Sequence, residues 1–189
     1  MNHENENGQG TPLVSARAGT DGEGGKTLLM IRHAKSSWEI DTLNDFERPL
    51  NERGKKDAHM MAKRLIEKKI RIDAFVSSPA KRAKKTAELF FDVHEKKTDE
   101  IIFIPKLYHA YSATFFDVVD ELDDRFNTVA LFSHNPGITE FVNLVISGVR
   151  LDNMPTCGIF AIKINSNKWA GFKKAKKELL FFDYPKLNE

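Results

Sequence analysis

The chain has 189 residues, of which 41% are hydrophobic and 30% charged, with a formal net charge of +2. That length favours one domain, large enough to bury a core without staples. The single cysteine, Cys157, excludes an internal disulfide and zinc sites built on two or four cysteines; no apolar run spans a bilayer, and a charge near zero argues against a chain-wide nucleic-acid footprint.

Residues 1–25 stand apart. They hold 6 of the 11 glycines, one basic residue (Arg17) and four acidic ones (Glu4, Glu6, Asp21, Glu23). Met1, Leu13 and Val14 are their only large aliphatic side chains. Such a segment buries too little apolar surface to offset its ordering entropy. It reads as a flexible acidic, glycine-rich tail, and residues 26–189 as the domain, whose own charge is then +5. The N-terminus has no apolar, basic leader, so the expected location is the cytoplasm.

From residue 26 the chain alternates strand and helix. Thr27–Arg32 is a continuous apolar run, as in a strand buried on both faces. Asn51 can cap a helix reaching about Lys69, with Ala58, Met61, Ala62 and Leu65 as its buried stripe. Ile72–Ser78 reads as the second strand, and Pro79 fits the first position of a helix with Ala83, Ala87 and Phe90 inward. Ile101–Pro105 reads as the third strand. Ser112 can cap a helix carrying Phe115, Val118, Val119 and Leu122. Thr128–Ser133 is the fourth strand, and Pro136 begins a helix with Ile138, Phe141, Val142 and Val145 inward and Gly148 after its end. Two further strands fit near 157–164 and 178–183 as antiparallel edge additions. The pattern predicts an α/β domain of three layers, α/β/α, around a mostly parallel sheet.

Ligands of open α/β sheets bind at the carboxyl ends of the strands. The first strand ends in Arg32-His33, followed by Ala34-Lys35-Ser36-Ser37; the second ends in Ser77-Ser78-Pro79, with Arg82 in the next turn; the fourth ends in Ser133-His134-Asn135-Pro136-Gly137. Each residue alone has a plain reading, as a strand-end histidine at solvent or one more cation on a lysine-rich helix. Together Arg32, His33, Arg82 and His134 make a basic cluster beside helix N-termini, suited to a dianionic phosphoryl group. No carboxylate sits at these three junctions, and no H-x-H or H-E-x-x-H spacing offers a metal site. His3, His59 and His94 read as tail, helix and loop residues.

Four segments, in order, resemble the histidine phosphatase superfamily, most closely its short SixA-type phosphohistidine phosphatases. They are Arg32-His33-Ala34-Lys35-Ser36, the stretch Asp45–Gly54 (DFERPLNERG), Ser77–Ala87 (SSPAKRAKKTA), and Ser133-His134-Asn135-Pro136-Gly137. The resemblance runs from about residue 27 to 184. It implies that His33 is the nucleophile, that Arg32, Arg82 and His134 surround the phosphate, and that Ser36 is a further donor. Two guanidinium groups near His33 favour its neutral, attacking form. It also implies a monomer without cofactor or metal, acting on phosphohistidine in a protein or on a small phosphate ester, with no nucleic acid and no membrane as partner.

Two departures carry meaning. Larger members of the superfamily place a glutamate, used as general acid, in a later stretch; here Leu107–Tyr111 (LYHAY) has no carboxylate. An alkoxide leaving group needs a proton more than an imidazole does, so the departure favours a phosphoramidate substrate. His109 is an alternative acid, set against its reading as an exposed loop residue. Ser133 stands where the short branch often has glycine. Elsewhere, Gly19–Thr27 (GTDGEGGKT) looks like a phosphate-binding loop but lacks its first glycine and precedes a strand instead of following one. Lys163, Lys168, Lys173, Lys174, Lys176 and Lys177 form a basic C-terminal region, read as a solvated face or as a docking surface for an acidic phosphoprotein or RNA; Trp169 and Phe172 there fit packing. Three functions therefore stand: a phosphohistidine phosphatase, a small-molecule phosphomonoesterase, and a non-catalytic module that binds phosphorylated partners.

Overall fold

A computed structural model describes residues 24–38, 44–95 and 101–187. Most of the acidic tail, and most of the glycine-rich stretch 19–27, lie outside these residues. Six strands form one sheet: β1 (Lys26–Arg32), β2 (Ala74–Ser77), β3 (Ile102–Phe103), β4 (Thr128–Ser133), β5 (Ile159–Ile164) and β6 (Lys177–Asp183). Their order is β3-β2-β4-β1-β5-β6. The pairs β3–β2, β2–β4 and β4–β1 are parallel; β1–β5 and β5–β6 are antiparallel. Four helices cover the sheet: α1 (Glu52–Glu67), α2 (Lys81–Val93), α3 (Ser112–Asp120) and α4 (Gly137–Val145).

The three layers follow from the two-residue alternation of β1. Leu28 and Met30 face one core with Phe115, Val118 and Val119 of α3 and Ile138, Phe141 and Val142 of α4. Leu29 and Ile31 face the other, with Ala58, Met61 and Leu65 of α1 and Ala87 and Phe90 of α2. A central strand buried on both faces needs no polar alternation, which is why TLLMIR reads as unbroken apolarity. Trp169 and Phe172 are fully buried in the α3/α4-side core, the packing reading of those two residues. Among the described residues no helix is long and apolar enough to cross a membrane.

Several element bounds differ from the sequence expectation. The α1 cap is as expected, with Asn51 Oδ1 accepting from Gly54 N at 2.8 Å. Helix α2 begins two residues later than Pro79 suggests, at Lys81: Ser78 Oγ takes the Ala80 N–H at 3.3 Å across a bend at 79–80, and Ala80, with φ −58° and ψ 136°, lies outside the helix. Tyr111, not Ser112, is the residue before α3, and it makes no side-chain cap. Strand β3 shrinks to two exposed residues at the sheet edge, where only one neighbour offers hydrogen bonds; Pro105 then opens a single 3-10 turn over Pro105–Leu107.

Candidate active site

Register brings the three predicted strand ends together. In the parallel ladder Arg32 lies opposite Ser133, and Ser77 opposite Phe132. The backbone continues the ladder one residue further: His33 N donates to Ser133 O at 3.0 Å and Ser78 N to Phe132 O at 3.0 Å. The side chains that follow β1, β2 and β4 therefore emerge at one level of one edge. Among the predicted residues, His33, Arg82 and His134 meet directly. The His33 and His134 rings lie 5.1 Å apart by centroid, and Arg82 Nε donates to His33 Nε2 at 3.2 Å. All three are buried, as is Ser36.

The loop after β1 is held rigidly. Ala34 N donates to Thr86 Oγ1 at 3.0 Å, and Thr86 Oγ1 donates to Arg82 O at 2.7 Å, so the His33 loop and the Arg82 helix share one hydroxyl. Asn51 N donates to Lys35 O at 3.0 Å, and Gly54 packs so closely on Lys35 that a Cβ there would collide with its carbonyl oxygen. This is the physical content of the Asn51-Glu52-Arg53-Gly54 segment: it docks the first turn of α1 on the His33 loop.

His33 Nδ1 lies 2.8 Å from Ala34 O, an acceptor only, so this nitrogen carries the proton and Nε2 keeps its lone pair. Burial lowers the His33 pKa first, and the guanidinium charges of Arg82, Arg32 and Arg48 lower it further; the bond to Ala34 opposes them, leaving a value of about 3. The sequence argument credited the arginines; the structure puts burial ahead of them. His134 behaves alike. Burial, then His33 and Arg82, hold its pKa at about 2, so the imidazole is neutral at pH 7. Its Nε2 lies 2.8 Å from Ser78 Oγ, while its buried Nδ1 has no partner among the described residues.

Arg32 Nη1 donates to Met154 O at 2.6 Å, and its buried Nε, like His134 Nδ1, has no partner among the described residues. Burial and the charge of Arg82 both lower the Arg32 pKa. Ser36 Oγ accepts from Arg48 Nη2 at 2.6 Å, and Ser36 bridges to Leu50, so the structure places this hydroxyl on an arginine the sequence reading did not single out. Ser133 Oγ donates to Leu107 O at 2.9 Å, tying β4 to the 3-10 turn instead of crowding His134.

Sequence reasoning missed Asp45, Arg48, Ser78 and Tyr108. No carboxylate adjoins the strand ends in sequence, yet Asp45 reaches the site from the connection between β1 and α1. Its Oδ2 accepts from Arg82 Nη2 at 2.9 Å and from Tyr108 Oη at 2.9 Å, and its Oδ1 accepts from Arg48 Nη1 at 2.9 Å. Burial opposes ionisation of Asp45, but the hydrogen bonds of Tyr108, Arg82 and Arg48 and the charge of Arg82 outweigh it and hold its pKa at about 2. Arg48 stacks on exposed Trp38, its guanidinium carbon 3.2 Å from the ring centroid. Tyr108 meets Phe46 edge-on at 5.0 Å, and the exposed His109 ring lies 3.9 Å from that of Tyr108 with the planes tilted by 48°. Asp45 and Arg48 were visible as part of the DFERPLNERG segment; their roles were not, since their i,i+3 spacing says nothing of an arginine 37 positions after Asp45.

The arrangement suits phosphoryl transfer. Arg32, Arg82 and a neutral histidine N–H can hold phosphoryl oxygens, and a neutral imidazole offers its lone pair as nucleophile. Among the described residues no group of three or more His, Cys, Asp or Glu side chains is arranged to hold a metal ion.

Comparison with known proteins agrees with this geometry. The family model of the histidine phosphatase superfamily (branch 1) matches residues 28–107, which carry three of the four segments. The fold is that of a protein assigned as the phosphohistidine phosphatase SixA of Nakamurella multipartitia: TM-score 0.75, 22% identity, 88% of this chain and 99% of that one. A second, assigned as SixA of Agrobacterium tumefaciens, gives TM-score 0.71 at 24% identity over 85% of this chain and 98% of that one. A mycobacterial glucosyl-3-phosphoglycerate phosphatase in complex with VO3 gives TM-score 0.66 at 14% identity, covering 84% and 99%. At these identities the likeness is one of fold.

Proposed function

We propose that this chain, whose residues 28–107 match the family model of the histidine phosphatase superfamily (branch 1), is a phosphatase that hydrolyses phosphohistidine in proteins through a covalent phospho-His33 intermediate. The observation that carries this reading is a neutral His33 whose unprotonated Nε2 accepts from Arg82 Nε, within one cluster with His134.

In the first step His33 Nε2 attacks phosphorus. The bond from phosphorus to the substrate imidazole breaks, its electron pair stays on the leaving nitrogen, and that nitrogen takes a proton from solvent. In the second, water attacks phospho-His33, releasing orthophosphate and neutral His33. Arg32 and Arg82 hold the equatorial oxygens and meet the charge of a loose, in-line transition state. Ser36 acts through Arg48, which it anchors.

The choice of a phosphoramidate over an ester rests on Asp45. The carboxyl at the site is ionised down to pH about 2, and so holds no proton for a leaving alkoxide. A groove beside the site supports a protein substrate. Phe46, Leu50 and Pro79 line it together with Lys81, Lys84 and Lys85 and the acidic Glu47 and Glu88. The second reading, a phosphomonoesterase of small molecules, has one observation in its favour: the Tyr108 hydroxyl, which keeps its proton because burial and Asp45 raise its pKa.

The test mixes the enzyme with a labelled phosphohistidine protein or with p-nitrophenyl phosphate and quenches in alkali, which spares phosphohistidine. Expected are label on the enzyme, loss of that label in His33→Ala, and faster turnover of the phosphoprotein than of the ester. Turnover by His33→Ala at the normal rate would sink the mechanism. Binding without turnover of either substrate would favour the phosphoprotein-binding module.

A further inference from the structure

Ser78 is fully buried just after β2, four positions before Arg82. Its Oγ has two partners among the described residues: Ala80 N, which donates to it at 3.3 Å, and His134 Nε2 at 2.8 Å. The backbone N–H can only donate, so it occupies a lone pair of the hydroxyl oxygen. The hydroxyl proton then has one acceptor within reach, His134 Nε2. If Nε2 were itself protonated, Ser78 would accept twice and its own buried proton would lack a partner, which costs free energy.

From this count we infer that Ser78 is a positioning residue that fixes His134 as the neutral Nδ1–H tautomer, so that His134 donates Nδ1–H to the phosphoryl group. The inference deepens the phosphatase reading above and rests on it for the identity of the acceptor. The rest of the site agrees. Among the described residues His134 Nδ1 is buried with no hydrogen-bond partner, as is Arg32 Nε. The groups that face the ring are His33, Arg82, Asp45 and His109, with Tyr108 edge-on at 5.7 Å. Burial and the two nearest of these hold the imidazole neutral at ordinary pH. A neutral imidazole of undefined tautomer would present a lone pair to the phosphate as often as an N–H, and a lone pair repels an anionic oxygen. The first N–H of the segment that opens α2 thus sets, through one hydroxyl, the polarity of a nitrogen supplied by the fourth strand.

The geometry also explains why the residue is serine. Asparagine would fill the position with a second donor, and alanine would leave both Ala80 N and His134 Nε2 without their partner. Threonine keeps the hydroxyl and adds one methyl.

The experiment is imidazole nitrogen NMR on the full chain, with inorganic phosphate as probe. In the native protein His134 should show a protonated Nδ1 and an unprotonated Nε2, and phosphate should shift the Nδ1 signal. Ser78→Ala, checked as folded by circular dichroism, should lose this single tautomer and weaken phosphate binding and kcat/KM by roughly 10- to 100-fold, the range seen when a partner that orients an imidazole is removed. Ser78→Thr should restore the tautomer and most of the binding. A protonated Nε2 in the native protein overturns the inference, as does a Ser78→Ala variant with unchanged His134 signals. Absence of turnover by the native protein would overturn the phosphatase reading alone, because tautomer and phosphate affinity are read without catalysis.

Discussion

Lowering the pH from 7 to 5 should destabilise the folded domain by about 4 kcal/mol through two side chains, His33 and His134. Both are buried and held neutral, with pKa values of about 3 and about 2. In the unfolded chain each titrates at about 6.5. Between pH 6.5 and 3 the unfolded state therefore binds protons that the native state refuses, and stability falls as pH falls. Integrated from pH 7 to 5, each such histidine costs about 2 kcal/mol, and this figure hardly depends on the native values so long as both stay below about 4. Asp45 adds nothing in this window, since its loss begins only below its unfolded pKa and runs down to about 2. A cost of about 4 kcal/mol is a large part of the 5–15 kcal/mol that holds a typical domain, and at a urea m-value of about 2 kcal/mol/M it moves the midpoint by about 2 M. The assay is urea unfolding at pH 7, 6 and 5, for the native protein and for the double variant His33→Gln, His134→Asn. The variant should lose about 4 kcal/mol less than the native protein over this range, whatever its absolute stability, because all other titrating groups are common to both. Equal losses, within about 1 kcal/mol, would refute the claim that these two imidazoles are neutral in the folded state.

Two further outcomes test the supports of the site. Arg82→Lys keeps the charge but loses the fork that reaches His33 Nε2 and Asp45 together; kcat/KM should fall roughly 10²–10³-fold, as for loss of one transition-state donor, with little change in the urea midpoint, and an activity within threefold of native would remove Arg82 from the transition state. Gly54→Ala should raise the intrinsic helix propensity of α1 by about 1 kcal/mol, yet its Cβ would meet Lys35 O; thermal unfolding should show a net loss of about 1–3 kcal/mol together with lower phosphatase activity, whereas a stabilised variant would mean that the His33 loop is not packed on α1 as described.

Much of the fold is legible because it obeys local periodicities. TVALFS maps onto β4 residue for residue, and Asn51 caps α1 because a side-chain oxygen at that position can take an N–H of the first turn. Edges are less legible. Strand β3 reads as five apolar residues and forms as two, since pairing at a sheet margin depends on a neighbour that the local sequence does not contain. The start of α2 at Lys81 was hidden for a similar reason: Ser78 spends its hydroxyl on Ala80 N and on a histidine 56 positions away.

The same division holds at the site. By itself the sequence determined that Arg32, His33 and His134 stand at strand ends and Arg82 in a first turn, because strand and helix periods are local and strand ends in a parallel sheet share one edge. Only the tertiary structure decided that Asp45 and Tyr108 would lock onto Arg82, that Ser36 would serve Arg48, and that both imidazoles would be neutral. Those outcomes rest on burial and on hydrogen bonds between residues tens of positions apart, and a pKa is set by the three-dimensional surroundings of a group, which no spacing along the chain encodes.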